Sequence, residues 1–126
     1  MNLPKVITGT VQHGHELGRR FDTPTANITP SEDISGLAKG VYYSDITIDG
    51  ITYHSITNLG VRPTVSSSGR VSAETFIYDL DMDIYDKNVS VTLLEFRRNE
   101  AKFSKTEELF ETVKEDLLAG RAYHGI

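Results

Sequence analysis

Val41-Tyr42-Tyr43-Ser44-Asp45-Ile46-Thr47-Ile48, then Asp49-Gly50, then Ile51-Thr52-Tyr53-His54-Ser55-Ile56-Thr57 is the stretch that decides the fold class. Two runs rich in β-branched and aromatic residues flank an Asp-Gly pair. A type I′ turn needs positive φ at both central residues, and Asp-Gly supplies it, so the stretch predicts a β-hairpin. Working outward, Val6-Ile7-Thr8-Gly9-Thr10-Val11 reads as a short strand. Ala73 to Leu80 reads as another, with Glu74, Phe76, Tyr78 and Leu80 on one face and Thr75, Ile77 and Asp79 on the other. Asn88 to Phe96 follows after a turn at Tyr85-Asp86-Lys87-Asn88, with Val89, Val91 and Leu93 sharing a face.

A single helix is predicted near the end. Ser104 with Glu107 three residues on spells a capping box, and Leu109, Phe110, Val113 and Leu117 recur at helical spacing. Gly120 reads as the stop that follows the last turn. Short strands followed by one amphipathic helix imply a small closed or nearly closed antiparallel barrel with the helix across one side or end. Closure also removes the exposed strand edges that so β-rich a chain would otherwise present.

Composition agrees with one ordinary domain. The chain has 126 residues, of which 38% are hydrophobic and 25% charged. There is no cysteine, which excludes disulfide scaffolds, thiolate metal sites and cysteine nucleophiles. A formal net charge of −5 argues against a general nucleic-acid partner, which needs a basic face to displace counterions from phosphates. The apolar runs are only a few residues long, so no membrane partner and no export signal is expected, and the cytoplasm is the expected compartment.

The candidate chemistry lies in loops and strand ends. Gly14-His15-Glu16-Leu17-Gly18-Arg19 can form a loop whose bare N–H groups approach an anion, although alone it is also what a plain turn looks like. In Pro24-Thr25-Ala26-Asn27 an extended backbone points Thr25 and Asn27 the same way, a hydroxyl and an amide oxygen suited to a hard cation beside phosphates. The competing reading is that both only bond local backbone. Asn58-Leu59-Gly60-Val61-Arg62-Pro63-Thr64 is a second glycine- and arginine-bearing loop. Glu74 shares a face with Phe76 and Tyr78, so it sits at a barrel rim or serves as a base. Glu95 to Phe103 reads by default as a solvated, charged connection. His13 and His15, two apart, lack a third ligand at metal-site spacing.

In order along the chain, these pieces resemble the riboflavin kinase (flavokinase) family. The series runs from Gly9-Thr10-Val11 with Gly14 and Gly18-Arg19, through Pro24-Thr25-Ala26-Asn27-Ile28, Gly40-Val41-Tyr42 and Asn58-x-Gly60-x-Arg62-Pro63-Thr64. It continues with Glu74 before Phe76-Ile77-Tyr78, Ile84-Tyr85-x-Lys87, Phe96-x-Arg98-x-Glu100-x-Lys102-Phe103 and a helix containing Asp116. The resemblance implies one domain over residues 1–126, a six-stranded antiparallel Greek-key barrel with a C-terminal helix packed on it. It implies ATP-dependent phosphorylation of riboflavin to FMN, with ADP as the other product. Glu74 would be the general base. Thr25 and Asn27 would hold Mg²⁺ (or Mn²⁺ or Zn²⁺). Gly14, Gly18, Arg19, Pro24, Thr25, Asn27, Asn58, Arg62 and Thr64 would contact the nucleotide, and Arg98 and Phe103 the flavin.

This sequence departs from the family pattern where Phe21-Asp22-Thr23 replaces the usual Leu-Gly-Phe, which adds a negative charge beside the phosphate loop. That departure supports an alternative, a catalytically impaired flavin- or nucleotide-binding module of regulatory role. A plain β-barrel interaction domain is a third reading. Met1-Asn2-Leu3-Pro4 fits either a natural start or a cut in the linker after an FAD synthetase (adenylyltransferase) domain of a longer parent.

Overall fold

Asp49 and Gly50 both take positive φ, 52° and 80°, the pair of angles a type I′ turn demands. The hairpin they close pairs Ile48 with Ile51 and runs in unbroken register to Gly40 with Leu59. The structure is a computed structural model that describes residues 1–12, 23–61 and 71–126. Its elements are β1 (Lys5–Thr10), β2 (Thr25–Ile28), β3 (Gly40–Ile48), β4 (Ile51–Val61), β5 (Val71–Ile77), β6 (Asn88–Asn99) and α1 (Thr106–His124).

The strands form one antiparallel sheet in the order β1-β6-β3-β4-β5-β2. β3, β4 and β5 are consecutive neighbours, and β6 returns to lie beside β3, which is the Greek-key order. The sheet curls so that its two edge strands approach. There Gln12 N donates to Asn27 O at 2.7 Å and Ser31 N to Thr8 O at 3.0 Å, in place of a full ladder. The result is a curled half-barrel. β2 is too short to ladder further, being four residues long, and Pro30 just beyond it has no N–H to give.

Alternation along each strand separates two faces. The concave face is the core, with Ile7, Tyr42, Ile46, Leu59, Ile77 and Leu93 all buried. Its few polar side chains satisfy one another. Ser44 Oγ lies 2.7 Å from Ser55 Oγ and 2.8 Å from Thr57 Oγ1, which lies 2.8 Å from Thr75 Oγ1. Among the described residues, no buried hydroxyl costs an unmade hydrogen bond.

On the convex face α1 covers an apolar patch contributed by β3, β4, β5 and the turn after it. Val113 and Leu117 pack on Val41, Ile56, Phe76 and Tyr78. Tyr78 Oη donates to the carbonyl of Leu117 at 2.7 Å, and burial pushes this hydroxyl up to about 12, so it stays protonated and keeps donating.

Several boundaries differ from the sequence expectation. The helix starts at Thr106 with Lys105 as its N-cap and no side-chain cap bond, which leaves Ser104 one residue too early for its capping box. Glu107 and Glu108 instead place negative charge in the first turn, where it favours the helix dipole. Gly120 does not end the helix. It is a buried helical residue, and a Cβ there would collide with Tyr78 Oη. Gly125, at φ 73°, is the left-handed stop. β5 ends at Ile77, because Asp79 turns the chain with φ 60°.

Gly120→Ala should therefore destabilise the fold, although alanine is the better helix former by about 1 kcal/mol. The collision with Tyr78 is expected to outweigh that gain and give a net loss of about 1–3 kcal/mol. Thermal unfolding would check it, and a raised midpoint would contradict the packing argument.

Candidate functional site

Antiparallel register brings the convex-face residues into rows. β2 and β5 set Asn27 opposite Glu74 and Thr25 opposite Phe76. β4 sets Asn58 opposite Glu74 from the other side, and Ile56 opposite Phe76. β3 sets Val41 opposite Asn58, and β6 sets Arg98 opposite Val41. Directly opposed residues share a face with Cβ atoms about 4.5–5.5 Å apart. One row therefore runs Asn27, Glu74, Asn58, Val41, Arg98 across five strands.

A pocket of about 120 Å³ opens between this row and α1. Val41, Ile56, Phe76 and Phe103 give it apolar walls, while Asn58, Glu74 and Arg98 line it with polar groups. Asn27 and Thr25 stand on the side of Glu74 away from this pocket. Asn27 is buried, and Glu74 and Thr25 are half-buried. Pro24 leads into the row, its carbonyl accepting from Ile77 N at 2.9 Å and so continuing the β2–β5 ladder.

The pocket's far wall rests on a charge cluster that sequence reading took for a solvated connection. The ladder between β3 and β6 shifts register at Val41/Tyr42, pairing Arg98 with Val41 but Phe96 with Tyr42, so Arg97 is the extra residue of a bulge. A bulge lets neighbouring side chains reach one partner. Arg97 Nε donates to Asp116 Oδ1 at 2.9 Å, Arg98 Nε to the same oxygen at 2.9 Å, and Arg98 Nη2 to Oδ2 at 2.7 Å. Burial alone would pull the Arg97 guanidinium down, but its hydrogen bonds to Asp116 and Tyr43 outweigh this and hold it above its ordinary value. The signal was present in the sequence: Val113, Asp116, Leu117 and Gly120 form one buried helical stripe, so the acid sits where an apolar residue is expected.

Of the residues singled out in the sequence, Pro24, Thr25, Asn27, Asn58 and Glu74 thus meet on adjoining strands, and Arg98 and Phe103 meet at the pocket. Gly14, Gly18, Arg19, Arg62 and Thr64 lie outside the described residues, as do His13, His15 and the pair Phe21-Asp22.

Fold and site together define a Greek-key half-barrel with a small, partly apolar pocket beside Asn58, Glu74 and Arg98. The chain belongs to the riboflavin kinase family: the Flavokinase family model, described as riboflavin kinase, matches residues 1–124. It is 36% identical over 119 residues to the bifunctional riboflavin kinase/FMN adenylyltransferase of Pseudomonas fluorescens, covering 94% of this chain and 38% of that one. It is also 36% identical over 112 residues to the RNA-binding riboflavin kinase RibR of Bacillus subtilis, covering 89% and 48%. The chain thus spans less than half the length of these two relatives. The crystal structure of a macrolide-efflux protein from Streptococcus pneumoniae superposes with a TM-score of 0.79 at 30% identity, over 94% of this chain and 38% of that one. Riboflavin kinase from Trypanosoma brucei shares the fold, with a TM-score of 0.62 at 21% identity over 94% and 78%. Among the described residues, no helix is long and apolar enough to cross a membrane.

Asp116→Asn should loosen the wall that α1 forms. Breaking a buried pair costs about 3–5 kcal/mol, and both arginines are about a quarter exposed, so a loss of about 1–3 kcal/mol is expected. A denaturant titration measures it; an unchanged midpoint would mean that the cluster holds nothing in place.

Proposed function

We propose that the chain is a single riboflavin kinase-like domain that transfers the γ-phosphoryl group of ATP to the 5′-hydroxyl of the ribityl chain of riboflavin. The hydroxyl oxygen forms the new bond to phosphorus, the bond to the β-phosphate oxygen breaks, and FMN, ADP and the hydroxyl proton are the products. Such chemistry needs positioning and charge neutralisation more than covalent help. The observation that carries this reading is the register Asn27–Glu74–Asn58 beside a partly apolar pocket. Glu74 then stands between a space suited to a flavin and the oxygen donors suited to a nucleotide's cation.

Each residue has a part. Riboflavin lies in the pocket against Phe103 and Arg98, its ribityl chain ending at Glu74. Glu74 takes the hydroxyl proton as attack begins. Thr25 and Asn27, with Glu74 one strand away, are oxygen donors only, a set that fits Mg²⁺ or Mn²⁺ better than a soft ion and admits Zn²⁺. A cation held there would offset charge on the phosphate oxygens. The N–H groups of Gly14 to Gly18, with Arg19, Arg62, Thr64, Pro24 and Asn58, hold the nucleotide.

The longer relatives support a parent protein in which an adenylyltransferase segment converts FMN to FAD; nothing in these 126 residues is assigned to that second step. The net charge of −5 supports the reading that this chain has no general nucleic-acid partner.

Incubation with riboflavin and MgATP, followed by chromatography, should yield FMN. Riboflavin binding without FMN would select the regulatory module instead. Glu74→Gln should lower turnover by roughly 10²–10⁴-fold while quenching of flavin fluorescence still reports binding. Near-normal turnover in that variant would remove Glu74 from the role of base.

A further inference from the structure

The convex face carries a second group of ligating side chains that the kinase reading does not use. Asp45 on β3 is registered opposite His54 on β4, and His54 Nδ1 lies 3.3 Å from Asp45 Oδ1. His124, the last residue of α1, brings its Nδ1 to 3.9 Å from the same oxygen. One ligand atom from each of the three residues lies within 4.8 Å of the other two. Asp45 is four residues from Val41 along β3, roughly 13 Å at about 3.3 Å per residue, so the group is separate from the pocket row.

Three observations point to a cation. The first is the tautomer of His124. Its Nε2 lies 2.9 Å from the carbonyl of Ser55, which can only accept, so Nε2 carries the hydrogen and the neutral ring's lone pair is on Nδ1, the atom facing Asp45. A metal-binding histidine is commonly oriented in this way, by a backbone carbonyl on its other nitrogen. The second is rigidity. The His124 side chain is only 3% exposed, its ring centroid 4.3 Å from that of His54 at a tilt of 31° and set edge-on to Tyr123 and Tyr78. The third is spacing. Two bonds of about 2.0–2.1 Å at a tetrahedral angle put donor atoms about 3.3 Å apart. His54 and Asp45 already stand at that separation, His124 is within about 0.6 Å of it from Asp45, and no two of the three ligand atoms are more than 4.8 Å apart.

We infer that Asp45, His54 and His124 form a binding site for a borderline divalent cation of the Zn²⁺ class, with the fourth position open to water. Two imidazoles and one carboxylate prefer Zn²⁺ to Mg²⁺, in contrast to the all-oxygen set around Thr25 and Asn27. The His54 side chain is 50% exposed, which leaves the ion a path in and a free coordination position. The donors come from β3, β4 and the end of α1, so the ion ties the helix that walls the pocket to the central hairpin. Its role is structural.

Calorimetric titration of the full chain with ZnCl₂, in a buffer holding excess Mg²⁺, tests this. One equivalent should bind, and the thermal midpoint should rise with added Zn²⁺ because only the folded chain assembles the site. His54→Ala and Asp45→Asn should each weaken binding by at least about 10-fold, the scale on which metal sites respond to lost partners, without altering the fold by circular dichroism. Asn27→Ala should leave Zn²⁺ binding intact, which separates this site from the proposed nucleotide cation. Nitrogen-15 spectra of the imidazoles should report Nδ1 as the metallated atom of His124. Absence of binding, binding indifferent to His54→Ala and Asp45→Asn, or binding abolished by Asn27→Ala would each overturn the inference. If the three donors share only a proton, Zn²⁺ leaves the thermal midpoint unmoved, which overturns it equally.

Discussion

The register between β2, β5 and β4 is the constraint on which the rest depends. Side chains along a strand alternate strictly, so a slip of one residue in β5 would send Glu74 into the core and Thr75 out of it. Both faces resist that slip. On the concave side Ala73, Thr75 and Ile77 are buried, and Thr75 is bonded into the hydroxyl chain through Thr57. On the convex side Phe76 and Tyr78 are covered by α1. The position of Glu74 between Asn27 and Asn58 is therefore held by burial energy on both faces of β5.

The helix does more than cover an apolar patch. Without it Phe76 and Val41 would face water, and the pocket would have a floor but no wall. Its attachment combines three kinds of contact: Val113 and Leu117 on the sheet, Tyr78 Oη on the Leu117 carbonyl, and Asp116 between two arginines. The last is the costly one, because a buried carboxylate is tolerated only with strong partners. Arg97 and Arg98 can both serve it because β6 bulges at Arg97. The bulge is thus a positioning device, spending one residue of regular pairing to bring two cations to one acid.

Much of this was legible from local pattern, and the failures share a cause. The hairpin was readable because Asp-Gly dictates its own φ angles, and the Glu74/Phe76/Tyr78 face because period-2 alternation needs no knowledge of the partner strand. Gly120 misled because a glycine late in an amphipathic run is normally a stop. What required it here is Tyr78, 42 positions earlier in the chain. The pairing of Asp116 with Arg97 and Arg98 was hidden for the same reason, although an acid on the apolar stripe was a visible anomaly. His54 and His124 lie 70 positions apart and look like isolated surface histidines until the helix end is folded back on the hairpin.

Two donor chemistries then occupy one curved face, and their separation has physical sense. Under the proposed kinase reading, the oxygen donors Thr25 and Asn27 suit a weakly held, exchangeable ion that travels with phosphates. Imidazoles at the helix end suit an ion that stays. If the first set contained a histidine, a softer ion would compete for it and be held too firmly to leave with the nucleotide. If the second set were all oxygen, it would bind too weakly to hold the end of α1 on β3 and β4. With the end of α1 held, Val113 and Leu117 stay seated over Val41 and Ile56. The wall they form then need not be ordered anew each time a ligand enters, and that ordering cost is subtracted from binding in any site whose walls are loose.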